Sequence, residues 1–183
     1  QFAMLKTFRD WVSARPDQYA LVSSVEDVRR SAADGRLGVL FDIEGMALLE
    51  GQLGLMEQLY AQGVRWMSIT YNKNNAVGGG CQDEDGGLTA FGRDVIAEAK
   101  RVGMVVCCSH TGHRTCRDVM EVTENPVIFS HSNASAIHKH ARNIGDELIV
   151  ACARTGGVVG VNGIGLFLGD NDNRTETYVR HLD

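Results

Sequence analysis

The sequence lacks a long apolar run, a basic stripe and a low-complexity segment, and each absence argues against a class of protein. No apolar stretch approaches the roughly 18 to 20 residues that a bilayer-spanning helix needs. The chain has 18 Lys and Arg against 23 Asp and Glu, and the basic residues form no cluster, which argues against a nucleic-acid partner. With 44% apolar residues among its 183, the composition predicts one globular domain spanning residues 1–183.

The cysteines also lack a recognisable pattern. They number five, an odd count, and none belongs to a Cys-x-x-Cys pair. Cys107 and Cys108 are neighbours in an apolar stretch, so we expect reduced, mostly buried thiols, as in a reducing compartment. The cytoplasm is therefore the favoured location. Residues 1–4 have no signal-peptide pattern, and a signal upstream of this sequence stays an open alternative.

Short apolar runs alternate with helical patterns along the chain. The runs predicted as strands cover residues 37–43, 64–70, 104–108, 127–130 and 158–161. The segments predicted as helices cover residues 4–14, 25–33, 51–62, 88–102, 114–122 and 146–154. Because the strands are apolar on both faces, this alternation predicts a parallel α/β sheet covered by helices. A closed (β/α)8 barrel typically needs about 250 residues, so the sheet is either open or part of an incomplete barrel.

Reactive side chains stand at the C-terminal ends of four of the five predicted strands. They are Glu44, Tyr71, His110 and His131. Because the C-terminal ends of neighbouring parallel strands meet on one face of a barrel, we expect these side chains to converge. A lone Glu is usually an exposed loop residue and a lone His a structural one, but two imidazoles plus a carboxylate are a standard zinc ligand set. Glu44, His110 and His131 therefore predict a metal site.

Other polar residues near these positions are weaker candidates. His113 lies close enough to His110 to act as a second ligand, but its place at a predicted helix start favours a residue at the rim. His138 and His140 either line a substrate entrance or belong to a surface loop, and the surface loop is favoured. Residues 78–80 are all glycine without the lysine of a P-loop, and they are predicted as a mobile loop above the strand ends.

Three stretches of the sequence resemble the membrane (renal) dipeptidase family. They are Phe-Asp-Ile-Glu-Gly at residues 41–45, the run ending in Ser-His at residues 103–110, and Asn-Pro-Val-Ile-Phe-Ser-His-Ser at residues 125–132 with Arg-Asn at 142–143. The last is the most specific. The resemblance implies zinc-dependent hydrolysis of dipeptides on a (β/α)8 TIM-barrel-type fold, of which about five parallel strands are expected here.

The resemblance also implies a role for each site residue. Glu44 would bridge two zinc ions, and His110 and His131 would bind one of them. Arg142, beyond a predicted short helix, would hold the substrate's C-terminal carboxylate, which the planar guanidinium matches. Its structural alternative is pairing with Asp146. Tyr71 replaces a histidine of the best-known members and would both bind the substrate and stabilise the developing oxyanion.

Two features of the family have no counterpart in this sequence. They are a His-x-Asp pair at the end of the first strand and an Asp near the end of the last strand. We therefore expect a fragment that lacks the first strand and the last strands and holds at most one zinc ion, weakly; whether it is active alone stays open. A homodimer stays open too. The alternatives to dipeptide hydrolysis are a related hydrolase of lactams or amides and a non-catalytic ligand-binding role.

Overall fold

The computed structural model describes residues 2–172 and 174–183 as helices alternating with strands. The chain begins with α1 (Phe2–Ser13), β1 (Tyr19–Leu21), α2 (Val25–Ala33) and β2 (Leu37–Val39). It continues with β3 (Phe41–Ile43), a 3-10 helix (Met46–Leu49), α3 (Gly54–Ala61) and β4 (Val64–Ser68). Next come α4 (Ala90–Val102), β5 (Val105–Cys107), α5 (His113–Val122) and β6 (Val127–Ile128). The last helices are α6 (Asp146–Arg154), α7 (Gly165–Leu168) and α8 (Thr175–Arg180).

The main sheet consists of β3, β4, β5 and β6, side by side in chain order and parallel throughout. A single parallel bridge between Phe129 and Val159 extends it beyond β6. Helices α3, α4 and α5 connect successive strands, so each strand runs in the same direction as its neighbour. The predicted parallel α/β fold is confirmed, and all the strand ends that carry polar residues lie at one edge of this sheet.

Two predicted strands differ from the observed ones. Residues 37–43 do not form one strand, because the chain changes partner at Leu40. Its first half, β2, pairs with β1 in a separate two-stranded parallel sheet that was not predicted, while β3 pairs with β4. Residues 158–161 contribute only the bridge at Val159 instead of a full strand.

The core lies between the main sheet and its covering helices. Met67 and Ile69, on and just after β4, are fully buried, as are Val95 of α4, Phe129 beyond β6 and Leu148 of α6. Burial of both strand faces explains why the strands read as continuous apolar runs. The cysteines are free thiols, buried except for Cys81, which is half-buried.

Local capping signals set the ends of several helices. The Ser24 side chain accepts a hydrogen bond from the Asp27 N–H and so caps α2, as predicted. Gly103 ends α4 with φ 83°, a left-handed conformation that glycine adopts without strain. None of the helices in the described part of the chain combines the length and apolar character needed to cross a membrane.

Candidate metal centre

Glu44, His110 and His131 converge beyond the C-terminal ends of β3, β5 and β6. The Nε2 atoms of His110 and His131 lie 2.7 Å apart. Oε1 of Glu44 lies 3.3 Å from Nε2 of His131 and 3.9 Å from Nε2 of His110. The parallel sheet therefore brings together the three side chains predicted as metal ligands.

The three donor atoms fit a single metal ion. Zinc bonds to nitrogen and oxygen are about 2.0–2.2 Å long, so two ligands of one ion lie at most about 4.4 Å apart. All three separations are shorter than this limit. Two imidazoles and a carboxylate suit zinc, and they also suit other divalent transition metals such as iron. The cluster is thus suited to a divalent metal without selecting zinc by its donors alone.

Burial keeps both imidazoles neutral. The pKa of His110 is lowered to about 3, first by burial and then by the nearby Arg142 charge and His131. Burial also lowers the pKa of His131, with the Glu44 charge opposing the shift and Arg142 adding to it. Both rings therefore have an unprotonated nitrogen at pH 7, as metal binding requires.

The second nitrogen of each imidazole contacts a polar side chain. Nδ1 of His110 lies 2.8 Å from Oδ1 of Asn72, and Nδ1 of His131 lies 2.7 Å from Oγ of Ser130. Neither partner was predicted. The available signal was local, because Asn72 directly follows Tyr71 and Ser130 directly precedes His131, and metal-binding histidines usually have such a partner.

His110 and Asn72 share an unusual backbone conformation. Their φ angles are 69° and 64°, in the left-handed region that few non-glycine residues occupy. Backbone hydrogen bonds support both residues: the Cys81 N–H donates to the His110 carbonyl at 3.1 Å, and the Gln82 N–H donates to the Asn72 carbonyl at 2.9 Å. The short segment of Cys81 and Gln82 therefore connects the two strand-end loops and holds them in place.

Tyr71 packs against the metal cluster through its ring. The ring stacks on the His110 imidazole, with centroids 4.3 Å apart and planes inclined by 19°. The residue is nevertheless 54% exposed, so the phenol is both in contact with the cluster and accessible from solvent. A substrate contact by Tyr71 stays a prediction.

Arg142 is a buried cation beside the cluster, only 4% exposed. Its Nη2 donates to the His131 carbonyl at 3.3 Å, and the guanidinium lies 5.3 Å from the centre of the Phe167 ring. Across residues 2–172 and 174–183, no carboxylate lies within 4.0 Å of this guanidinium, so the alternative ion pair with Asp146 is not formed. The predicted short helix before Arg142 is wrong, because that segment consists of turns and irregular backbone. Burying a charge without an ionic partner is unfavourable, and an anionic ligand would offset that penalty.

The remaining candidates lie around the cluster and not in it. Nε2 of His113 contacts the Asn143 carbonyl at 3.1 Å, which gives this residue a structural contact. His138 and His140 are half-buried residues of an irregular surface segment, which agrees with the favoured surface-loop prediction, and Nδ1 of His140 accepts a hydrogen bond from the Arg142 N–H. Residues 78–80 are buried and hydrogen-bonded, so they form a packed support and not an exposed loop.

Comparison with known proteins assigns a family. The sequence profile described as membrane dipeptidase (peptidase family M19) matches residues 1–183. An uncharacterized dipeptidase of Schizosaccharomyces pombe is 38% identical over 136 residues, which make up 70% of this chain and 32% of that protein. A solved amidohydrolase structure from Pseudomonas aeruginosa is 32% identical with a TM-score of 0.91, over 97% of this chain and 55% of that one. A metallopeptidase structure from Rhodobacter sphaeroides, liganded with a phosphinate mimic of the dipeptide L-Ala-D-Ala, is 26% identical with a TM-score of 0.91, over 100% of this chain and 55% of that one.

These likenesses confirm the (β/α)8 TIM-barrel-type fold class. The chain spans about a third of the yeast relative and just over half of each of the two solved chains. The family profile matches the whole sequence, including the strand ends that carry the cluster. The chain therefore belongs to the membrane dipeptidase family, peptidase family M19.

Proposed function

We propose that this chain carries zinc-binding and substrate-binding residues for the hydrolysis of dipeptides. The observation that supports this function best is the pairing of two features at one edge of the sheet. One is the cluster of Glu44, His110 and His131, and the other is the buried Arg142, which has no acidic partner within 4.0 Å in the described residues. A set of metal ligands next to an unpaired cation suits a substrate in which the peptide bond lies close to a free carboxylate.

Glu44, His110 and His131 would hold the zinc ion. Each neutral imidazole presents one lone pair, and the carboxylate adds negative charge and a second oxygen that can contact a further cation. That second oxygen agrees with the bridging role between two zinc ions that the family resemblance implies for Glu44. The chemistry that zinc supplies when bound is Lewis acidity, which polarises a carbonyl group and makes water acidic enough to ionise near neutral pH.

Arg142 would bind the carboxylate of the substrate. Its charge lowers the pKa of both His110 and His131, so the guanidinium lies close enough to interact electrostatically with both imidazoles. A guanidinium can donate two parallel hydrogen bonds to one carboxylate. A cation this close to the metal ligands leaves room for little more than one residue beyond the scissile bond. The dipeptide mimic bound by the Rhodobacter sphaeroides metallopeptidase supports the same substrate class.

Tyr71 would act on the other side of the cluster. Stacked on His110 and half exposed, its phenol can donate one hydrogen bond to the oxygen that becomes negative during attack on the peptide carbonyl. Unlike a histidine in this position, a tyrosine phenol has no cationic form to offer. We therefore expect its contribution to be a hydrogen bond to the oxyanion.

The test is metal content and peptidase activity measured together on the full-length protein. Elemental analysis should find zinc, and chelation followed by zinc addition should abolish and then restore hydrolysis of L-Ala-L-Ala or L-Ala-D-Ala. Glu44→Gln and His131→Gln should each lose both zinc and activity. His113→Gln is the matched control, since His113 contacts the Asn143 carbonyl and not the cluster, and it should keep both. Full zinc content and activity in the Glu44→Gln, His131→Gln double variant would refute the assignment.

Hydrolysis of other amides or lactams is the second candidate. The Pseudomonas aeruginosa relative is named an amidohydrolase, and an amide bond without an adjacent carboxylate needs the same metal chemistry but not Arg142. The assay above separates the two candidates if carboxylate-free amides are included. Higher kcat/KM for these amides than for dipeptides would favour the second candidate.

A further inference from the structure

We propose that Asn72 is a positioning residue that sets the tautomer of His110 and thereby strengthens its binding of the metal ion, an inference that rests on the proposed function. Its contact is with the imidazole and not with the metal or the substrate. The observations that support it are the side-chain geometry around Oδ1 of Asn72, the difference between the two histidine partners, and the backbone that holds Asn72 in place.

Oδ1 of Asn72 contacts two groups that can donate hydrogen bonds. Nδ1 of His110 lies 2.8 Å away, and Sγ of Cys81 donates to the same oxygen at 3.4 Å. A carbonyl oxygen only accepts hydrogen bonds, so the contact requires a proton on Nδ1 of His110. Nε2 of His110 then carries the lone pair, and this is the nitrogen that faces His131 and Glu44.

The partner of His131 imposes no such choice. Oγ of Ser130, 2.7 Å from Nδ1 of His131, belongs to a hydroxyl group that either donates or accepts. Without metal, the 2.7 Å contact between the two Nε2 atoms needs one proton, and with His110 protonated on Nδ1 that proton belongs to His131. To bind a metal through Nε2, His131 must move its proton to Nδ1, which the Ser130 hydroxyl permits by rotating. Asn72 thus presets one ligand, while Ser130 lets the other adapt.

The backbone around Asn72 holds its side chain in place. The Gln82 N–H donates to the Asn72 carbonyl, and the adjacent Cys81 N–H donates to the His110 carbonyl, so one short segment ties both residues together. A Cβ added to Gly80 would lie 2.2 Å from the Asn72 carbonyl oxygen, so only glycine allows this close approach. Fixed partners of this kind orient a metal-binding imidazole and raise its affinity.

The variants are chosen for the left-handed backbone at position 72. Asn72→Gly removes the acceptor at a φ of 64°, which glycine adopts freely, and Asn72→Asp keeps an acceptor oxygen. Lys73→Ala is the matched control: it lies next to Asn72 in the same loop, and its side chain pairs with Asp83 and contacts neither imidazole. In the full-length protein, competition titration with Zn²⁺ should show an affinity about 10- to 100-fold weaker for Asn72→Gly. Asn72→Asp should bind Zn²⁺ at least as tightly as wild type, and Lys73→Ala should match wild type.

A second measurement separates this inference from the proposed function. Nitrogen-15 NMR of histidine-labelled, zinc-free protein reports which ring nitrogen of His110 is protonated, with the signals assigned by a His110→Gln variant. We expect the Nδ1–H form in wild type and in Asn72→Asp, and its loss in Asn72→Gly. A wild-type His110 protonated on Nε2, or a tautomer and Zn²⁺ affinity unchanged in Asn72→Gly, would overturn the positioning role. If the protein bound no Zn²⁺, the proposed function would fail and the effect on metal binding with it, while the NMR result would still decide whether Asn72 sets the tautomer.

Discussion

Substitution of Arg142 by lysine, combined with amidation of the substrate, tests the proposed carboxylate contact. Lysine keeps the positive charge but loses the planar group that donates two parallel hydrogen bonds, while amidation removes the carboxylate and leaves the scissile bond unchanged. The two changes act on one interaction from its two sides. Their effects on kcat/KM should therefore be strongly non-additive.

The size of each loss follows from the surroundings of Arg142. Arg142 is 4% exposed and its guanidinium has no competing carboxylate within 4.0 Å in the described residues, so a substrate carboxylate would meet a desolvated, unpaired cation. Removing one partner of a buried charge pair costs about 2–5 kcal/mol, so amidation should lower wild-type kcat/KM by roughly 30- to 4,000-fold. Loss of one charge-assisted hydrogen bond costs about 1.5–3 kcal/mol, which predicts a roughly 10- to 150-fold decrease for Arg142→Lys on the free dipeptide.

The assay is steady-state kinetics on the four combinations of enzyme and substrate. Arg65→Lys is a matched control, because Arg65 also lies over an aromatic ring and donates to backbone carbonyls, including that of Ser23, but far from the cluster. It should leave the ratio of free to amidated dipeptide unchanged. Equal cleavage of free and amidated dipeptides by wild type would refute the contact, and so would losses that multiply fully in the combined measurement.

Three further predictions concern stability and the support of the metal cluster. Asp85 accepts hydrogen bonds from the N–H groups of Arg114 and Thr115 at the start of α5, so Asp85→Ala should lower the free energy of unfolding by about 1–2 kcal/mol at pH 7, measured by urea denaturation. Burial alone would raise the pKa of Asp85, but hydrogen bonds from Thr115 and nearby backbone N–H groups hold this pKa below its usual value. The difference in the free energy of unfolding between wild type and Asp85→Ala should therefore be complete above the unfolded-state pKa and shrink as the pH falls through the lower folded-state pKa. A difference that grows in acid would contradict this reasoning. Gly80→Ala should lower both Zn²⁺ affinity and melting temperature, because its Cβ would meet the Asn72 carbonyl, whereas Gly86→Ala, with open space around it, should change neither. Leu148→Ala, at a fully buried position of α6, should cost about 2–5 kcal/mol in the free energy of unfolding, and Val150→Ala on the same helix, 49% exposed, should cost less than about 1 kcal/mol.

Local sequence signals predicted much of the fold because they act over a few residues. The bounds of α2 and α6 match the predicted helices at residues 25–33 and 146–154, since apolar periodicity and capping residues are read within one or two helical turns. Strands β4, β5 and β6 fall inside predicted apolar runs for the same reason. The convergence of Glu44, His110 and His131 could be predicted too, because a parallel sheet brings the C-terminal ends of its strands to one edge.

The features that were missed depend on contacts between distant parts of the chain. Nothing within residues 37–43 shows that β2 pairs with β1 while β3 joins the main sheet, because both halves are apolar and the choice depends on which strand lies alongside. Residues 78–80 are predicted from the sequence as a mobile loop above the strand ends, because their burial depends on packing against Thr115, which lies far along the chain.

The sequence alone therefore determined most of the helices, three strands of the main sheet, the parallel arrangement and the three candidate ligands, because each follows from short-range patterns combined with the geometry of parallel sheets. The tertiary structure alone decided how those ligands are oriented and charged. It placed the side chain of Asn72 against the imidazole of His110, 38 residues away. It also left Arg142 buried, with no carboxylate of the described residues within 4.0 Å of its guanidinium. Hydrogen-bond partners and desolvation depend on which segments meet in three dimensions, and residue spacing along the chain does not contain that information.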